Sequence, residues 1–291
     1  MDFLEGLNPQ QREAVAIADG PLLILAGAGS GKTRVVTHRI ARLIGVERVP
    51  AESVLAVTFT NKAAGEMRER VLRLLGGGSG AGPWVSTFHS FCVRLLRKQG
   101  ASLADLRPGF TPDFTIYDED DQLAAVKTVY KQLGLDEEFM QYRAALSRIS
   151  YAKNHKQAPA ALYKEATDPK ATLLAKVYEL YQEALQRANA LDFDDLLLEA
   201  VRLLRHDADV REAANRRFTH LLIDEYQDTN RSQYELMRLL SATHQNVCAV
   251  GDEDQSIYGW RGADIRNILD FERDYPGARV IRLEQNYRST K

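Results

Sequence analysis

The sequence predicts an α/β fold in which a parallel sheet flanked by helices is interrupted by an all-helical insertion. Three observations carry that expectation. Short apolar runs bounded by turn residues recur along the chain, helical patterns fall between them, and one long stretch keeps helical spacing with no clear strand. At roughly 150 residues per domain, 291 residues allow about two domains, and 45% apolar content supplies a core for each. A mainly disordered chain is excluded.

The runs fall at Leu22–Ala26, Val54–Phe59, Trp84–Phe88, Leu221–Ile223, Val247–Val250 and Arg279–Leu283, the third being the least regular. Most are apolar enough to be strands buried on both faces, joined by right-handed crossovers. After the second run, Met67, Val71, Leu74 and Leu75 recur at helical spacing behind a cap at Thr60 or Asn61. The glycine-rich segment 76–83 reads as a surface loop. From 111 to 190 the apolar positions Leu123, Val126, Tyr130 and Leu133, then Leu174, Val177, Tyr181 and Leu185, repeat as they do on helices.

Charge and cysteine content narrow the function classes. With 38 Lys and Arg against 40 Asp and Glu, the net charge is −2, so a polyanion must meet a local basic surface rather than a global field. Cys92 and Cys248 are the only cysteines, and Cys248 lies in an apolar run, which reads as an unbridged core thiol in a reducing compartment. The start MDFLEGLNPQQ has no basic-then-apolar signal, and no run approaches the ~18 apolar residues of a membrane helix. A soluble, cytoplasmic protein is expected.

The strongest motif is LLILAGAGSGKT, an apolar strand entering Ala26-Gly27-Ala28-Gly29-Ser30-Gly31-Lys32-Thr33, with a helical pattern from Arg34 onward. Glycines let backbone N–H groups converge on phosphate oxygens at a helix N-terminus, Lys32 reaches the β and γ phosphates, and Thr33 offers a ligand to Mg2+. A second run, HLLIDEYQD, ends in Asp224, placed to hold the magnesium, and Glu225, placed to polarise the attacking water. It lies 224 − 32 = 192 residues downstream, a gap that the helical insertion accounts for. A third, VCAVGDEDQSIYGWRGA, puts Asp252, Gln255, Tyr258, Trp260 and Arg261 after another buried strand. An amide there can report the γ-phosphate, and the aromatic rings can stack on bases.

These ordered motifs, from LNPQQREAV to LEQNYRST, resemble the UvrD/PcrA/Rep family of superfamily 1A DNA helicases. The resemblance implies a P-loop NTPase, RecA-like core binding ATP and Mg2+, with 3′ to 5′ movement on single-stranded DNA. It also implies that Gln11 reads the adenine, Arg34 lies along the base, Tyr287 stacks on it, and Gln255 and Arg288 sense the γ-phosphate. DNA contacts would map to Phe59 and Asn61, to Thr87 and His89, and to Tyr258, Trp260 and Arg261.

On the same resemblance, residues 1–110 and 191–280 form the first core, 111–190 the inserted helical subdomain, and 281–291 the last strand and a junction to a second core missing from this chain. Weak activity of a monomeric fragment is then expected. Within Phe139–Lys164, Arg143, Arg148, Lys153, Lys156 and Lys164 stand without any Asp or Glu, and duplex DNA at a single-strand/double-strand junction is the partner implied. Two other readings stay open: an ATP- and DNA-binding module without turnover, and a small-molecule kinase using the same loop.

Overall fold

The computed structural model describes residues 2–77, 82–252 and 270–285. In chain order the main elements are α1 (Pro9–Ala16), β1 (Leu22–Ala26), α2 (Lys32–Gly45), β2 (Val54–Thr58), α3 (Asn61–Leu74), β3 (Trp84–Thr87) and α4 (Phe88–Gln99). There follow β4 (Thr115–Ile116), α5 (Glu119–Leu133), α6 (Tyr142–Asn154), α7 (Pro159–Glu165), α8 (Pro169–Arg187), β5 (Ala190–Leu191) and α9 (Phe193–His206). The chain then runs through α10 (Ala208–Arg217), β6 (His220–Ile223), α11 (Arg231–Leu240), β7 (Val247–Gly251) and β8 (Arg279–Leu283). It divides into two compact units, one of residues 1–91 with 208–291 and one of residues 92–207.

The first unit is built on a six-stranded sheet in the order β3-β2-β6-β7-β1-β8, with every pair parallel. Strands β1, β2, β6 and β7 are buried along their whole length, in keeping with their mostly apolar sequences. Each of the six apolar runs of the sequence is therefore a strand. Leu22, Ile24, Val36, Ile40, Ala56, Met67, Val71 and Leu222 meet in one core under the helices. The cap of α3 is Thr60, whose hydroxyl accepts from the Ala63 N–H.

Because all six strands run the same way, their C-terminal ends share one edge, where open parallel sheets generally bind their ligands. The sheet order refines one expectation. β6 does not adjoin β1; β7 lies between them, pairing Leu222 with Cys248 and Leu22 with Cys248.

The second unit is helical, with a core of Val126, Val129, Tyr130, Ile149, Val177, Tyr178, Tyr181 and Leu185. It contains a strand pair that helical periodicity cannot reveal: Thr115 and Ile116 of β4 align with Ala190 and Leu191 of β5, in parallel. Two residues are too short for any alternation to register.

The basic stretch in this unit also needs correction. Lys153 is 1% exposed and faces inward, its ammonium donating to Asp192 Oδ2 at 2.6 Å and Asp195 Oδ1 at 2.8 Å. It is an interior ion, not part of a DNA-facing surface. Arg143 is exposed but lies 3.3 Å from Glu119 Oε1, so its charge is partly met by its own unit.

Candidate functional site

β1 ends at Ala26, and the chain bends through Gly29 and Gly31, both with positive φ (78° and 89°), before α2 begins at Lys32. A side chain at Gly31 would be strained, and its Cβ would lie 2.8 Å from the Gln11 amide. Ser30 is buried and ties the bend together, its hydroxyl donating to the Gly27 carbonyl at 2.7 Å. Gln11 holds the bend from outside. Its Nε2 donates to the Ser30 carbonyl at 2.9 Å, while its Oε1 accepts from the Asn8 N–H at 3.2 Å and closes the capping box of α1. Arg34 is exposed on the first turn of α2, where the guanidinium lies against Gly6.

The Lys32 ammonium reaches across the strand ends. It donates to Asp252 Oδ2 at 2.9 Å, at the end of β7, and lies 3.9 Å from Glu225 Oε2, beyond β6. Glu225 adopts the left-handed conformation (φ 53°, ψ 48°), unusual for a residue with a side chain. Asp224 beside it is buried, and burial, reinforced by the Glu225 charge and only partly offset by Lys32, pushes its carboxyl up to about 7. Asp228 is pushed up to about 6 by burial and then by Glu225.

Gln227, which sequence reasoning missed, completes this cluster. The Gln227 Nε2 donates to Glu225 Oε2 at 2.8 Å, and its Oε1 accepts from the Asp252 N–H at 3.0 Å. Asp252 stood in the third motif without a role. The available signal was Gln227, two residues beyond Glu225 in DEYQD.

The second cluster lies at the ends of β2 and β3, on the same edge. Phe59 is half-buried and meets Phe88 edge-on, with ring centroids 6.1 Å apart. The Thr87 hydroxyl donates to Ser90 Oγ at 2.9 Å, and exposed Asn61 accepts from the same Ser90 hydroxyl at 3.5 Å. Burial lowers the pKa of His89, so its imidazole is neutral at pH 7 and contributes hydrogen bonding rather than charge. Gln255, Tyr258, Trp260, Arg261, Tyr287 and Arg288 lie outside the described residues.

Residues 7–276 match the UvrD/REP helicase N-terminal domain. The chain belongs to the UvrD/REP helicase family. It is 51% identical over 289 residues to the ATP-dependent DNA helicase PcrA of Staphylococcus aureus strain Mu50, covering 99% of this chain and 39% of that protein. It is also 51% identical over 290 residues to the ATP-dependent DNA helicase PcrA of Bacillus subtilis strain 168, covering 99% and 38%. The chain thus spans about two fifths of the length of these curated relatives.

The donor set of this UvrD/REP chain fits a magnesium-bound nucleotide. Thr33 and the buried Asp224 offer hard oxygens, and no cluster of three or more His, Cys, Asp or Glu that could cage a metal occurs among the described residues. A cation held by one or two protein oxygens, with phosphates and water completing its shell, is the usual magnesium arrangement.

A pH dependence follows from Asp224. Burial pushes its carboxyl up to about 7, so a cation held there would compete with a proton below that pH. Mg2+-dependent binding of a non-hydrolysable ATP analogue is expected to weaken roughly tenfold per pH unit below about pH 7 and to level off above it. Titrations at pH 5.5, 6.5 and 8 read the slope, and Asp224→Asn should remove it.

No helix among the described residues is long and apolar enough to cross a membrane.

Proposed function

We propose that the protein carrying this chain is an ATP-dependent DNA helicase and translocase, moving 3′ to 5′ on single-stranded DNA and acting as a cytoplasmic monomer at single-strand/double-strand junctions. The observation that carries the reading is the meeting of Lys32 with Asp252 and Glu225 at one edge of the parallel sheet. That edge also carries Phe59, Asn61, Thr87 and His89 at the ends of β2 and β3. Similarity to proteins named ATP-dependent DNA helicase supports both halves.

Each residue has a part in this cycle. The N–H groups of Ala28, Gly29, Ser30 and Gly31 and the Lys32 ammonium receive the phosphates, and Thr33 and Asp224 would hold Mg2+, which when bound would supply positive charge to the phosphate oxygens. Glu225 orients and polarises the attacking water. Gln11 and Arg34, with Tyr287, take the base, while Gln255 and Arg288 respond to the γ-phosphate. Phe59 stacks on a base, and Asn61, Thr87 and His89 hydrogen-bond to the strand, with Tyr258, Trp260 and Arg261 extending that grip.

Single-stranded oligonucleotide is expected to stimulate phosphate release, and high salt to suppress that stimulation because phosphate contacts release counterions. Stimulation no greater than that of a Lys32→Ala control would favour a binding module without turnover. Polarity is read by strand displacement from 3′-tailed and 5′-tailed duplexes. Faster displacement of the 5′-tailed substrate would overturn the direction.

A further inference from the structure

Gln227 is 2% exposed, and both ends of its amide are committed, to Glu225 on one side and to the Asp252 N–H on the other. Asp252 in turn accepts from Lys32, and Lys32 lies 3.9 Å from the same Glu225 oxygen that Gln227 holds. Four residues from three strand ends therefore close a ring around one carboxylate oxygen. Within it, the Gln227 Nε2 is the hydrogen-bond donor to Glu225 Oε2, and the backbone there sits in a left-handed conformation that gives little freedom to re-aim the side chain.

We propose that Gln227 is a positioning residue for phosphoryl transfer: it fixes the Glu225 carboxylate toward the attacking water and makes that aim depend on where the end of β7 stands. The dependence has a simple cause. An amide has one carbonyl oxygen and one NH2 on a rigid plane, so a shift of the Asp252 N–H that turns the Gln227 carbonyl must also turn the NH2 that holds Glu225. Movement at β7 thereby changes the geometry of the water-polarising group without touching nucleotide. This rests on the reading of Glu225 given under Proposed function.

The test uses Gln227→Glu, Gln227→Met and Glu225→Gln in the full-length protein, with DNA-stimulated ATPase kinetics and thermal melts. Gln227→Glu keeps an acceptor for the Asp252 N–H but sets a carboxylate against Glu225; Gln227→Met removes both bonds at similar volume. Both variants are expected to lower kcat by up to about 100-fold, the loss that a displaced group brings, while KM for ATP changes less than about threefold. A purely structural amide would lower kcat only in step with melting temperature and would not split kcat from KM.

Wild-type kcat in both variants, loss of kcat only in proportion to loss of melting temperature, or unfolding of both variants would overturn the proposal. Glu225→Gln separates the two levels. If it turns over ATP like wild type, the role of Glu225 itself fails; if it is inactive while both Gln227 variants are normal, only the positioning role does.

Discussion

Lys32→Ala is expected to reduce DNA-stimulated phosphate release by roughly 10²- to 10³-fold, the usual scale for removing one preorganised charge from a developing anion. The ammonium also stands 2.9 Å from Asp252, whose side chain is 2% exposed, so the substitution removes the cation beside a buried carboxylate as well as the proposed phosphate ligand. Stability should therefore fall too, by about 3–5 kcal/mol if the pair behaves as a fully buried one. A second substitution separates the two effects. Adding Asp252→Asn to Lys32→Ala removes the buried charge and is expected to recover melting temperature while leaving turnover at the low level. Recovery of turnover together with stability would mean that Lys32 serves the fold rather than the reaction.

The second large effect is expected in the helical unit. There, Lys153 is held between Asp192 and Asp195, and the Tyr181 hydroxyl donates to Asp192 Oδ2 at 2.9 Å. Burial alone would lower the lysine's pKa, but the two carboxylates outweigh it and hold the ammonium charged. Even so, burial pushes the Asp195 carboxyl up to about 7. Lys153→Met strips the only cation bonded to both carboxylates among the described residues and is expected to cost about 3–5 kcal/mol in urea unfolding.

The pH dependence has a definite sign. Without the ammonium, Asp192, which the lysine holds below the ordinary carboxylate range, titrates higher and Asp195 higher still, so the variant loses stability as pH rises above about 4 and is least impaired at or below about pH 4. Adding Asp192→Asn and Asp195→Asn should restore most of the loss. Asn keeps the cap that Asp192 provides to α9, and neutral amides need no counterion.

The sheet was legible because strands buried on both faces need uninterrupted apolar runs, and Leu22–Ala26 or Val247–Val250 cannot easily serve as anything else. The bend between β1 and α2 was legible for a different reason: glycine at 29 and 31 answers a backbone need that few other residues meet. What stayed hidden depends on distant partners. Lys153 reads as surface charge because neither Asp192 nor Asp195 is near it in sequence, and a lysine's burial is decided by what faces it. Gln227 escaped notice because an amide gains its role only once Asp252, 25 residues on, is folded against it. The order β6-β7-β1 is likewise set by long-range pairing.

The arrangement of the sheet also bears on how the chain is made. Both neighbours of β1 are β7 and β8, supplied by residues from Val247 onward. At typical synthesis rates of ~5–20 residues per second, β1 leaves the ribosome roughly 10–45 s before its partners exist. Throughout that interval an apolar segment with open edges must be shielded from self-association, while the helical unit, whose residues all precede β6, is already free to fold. Nascent chains arrested between residues 207 and 247 are expected to be the most chaperone-dependent, and nucleotide should protect them from proteolysis only after β7 has emerged.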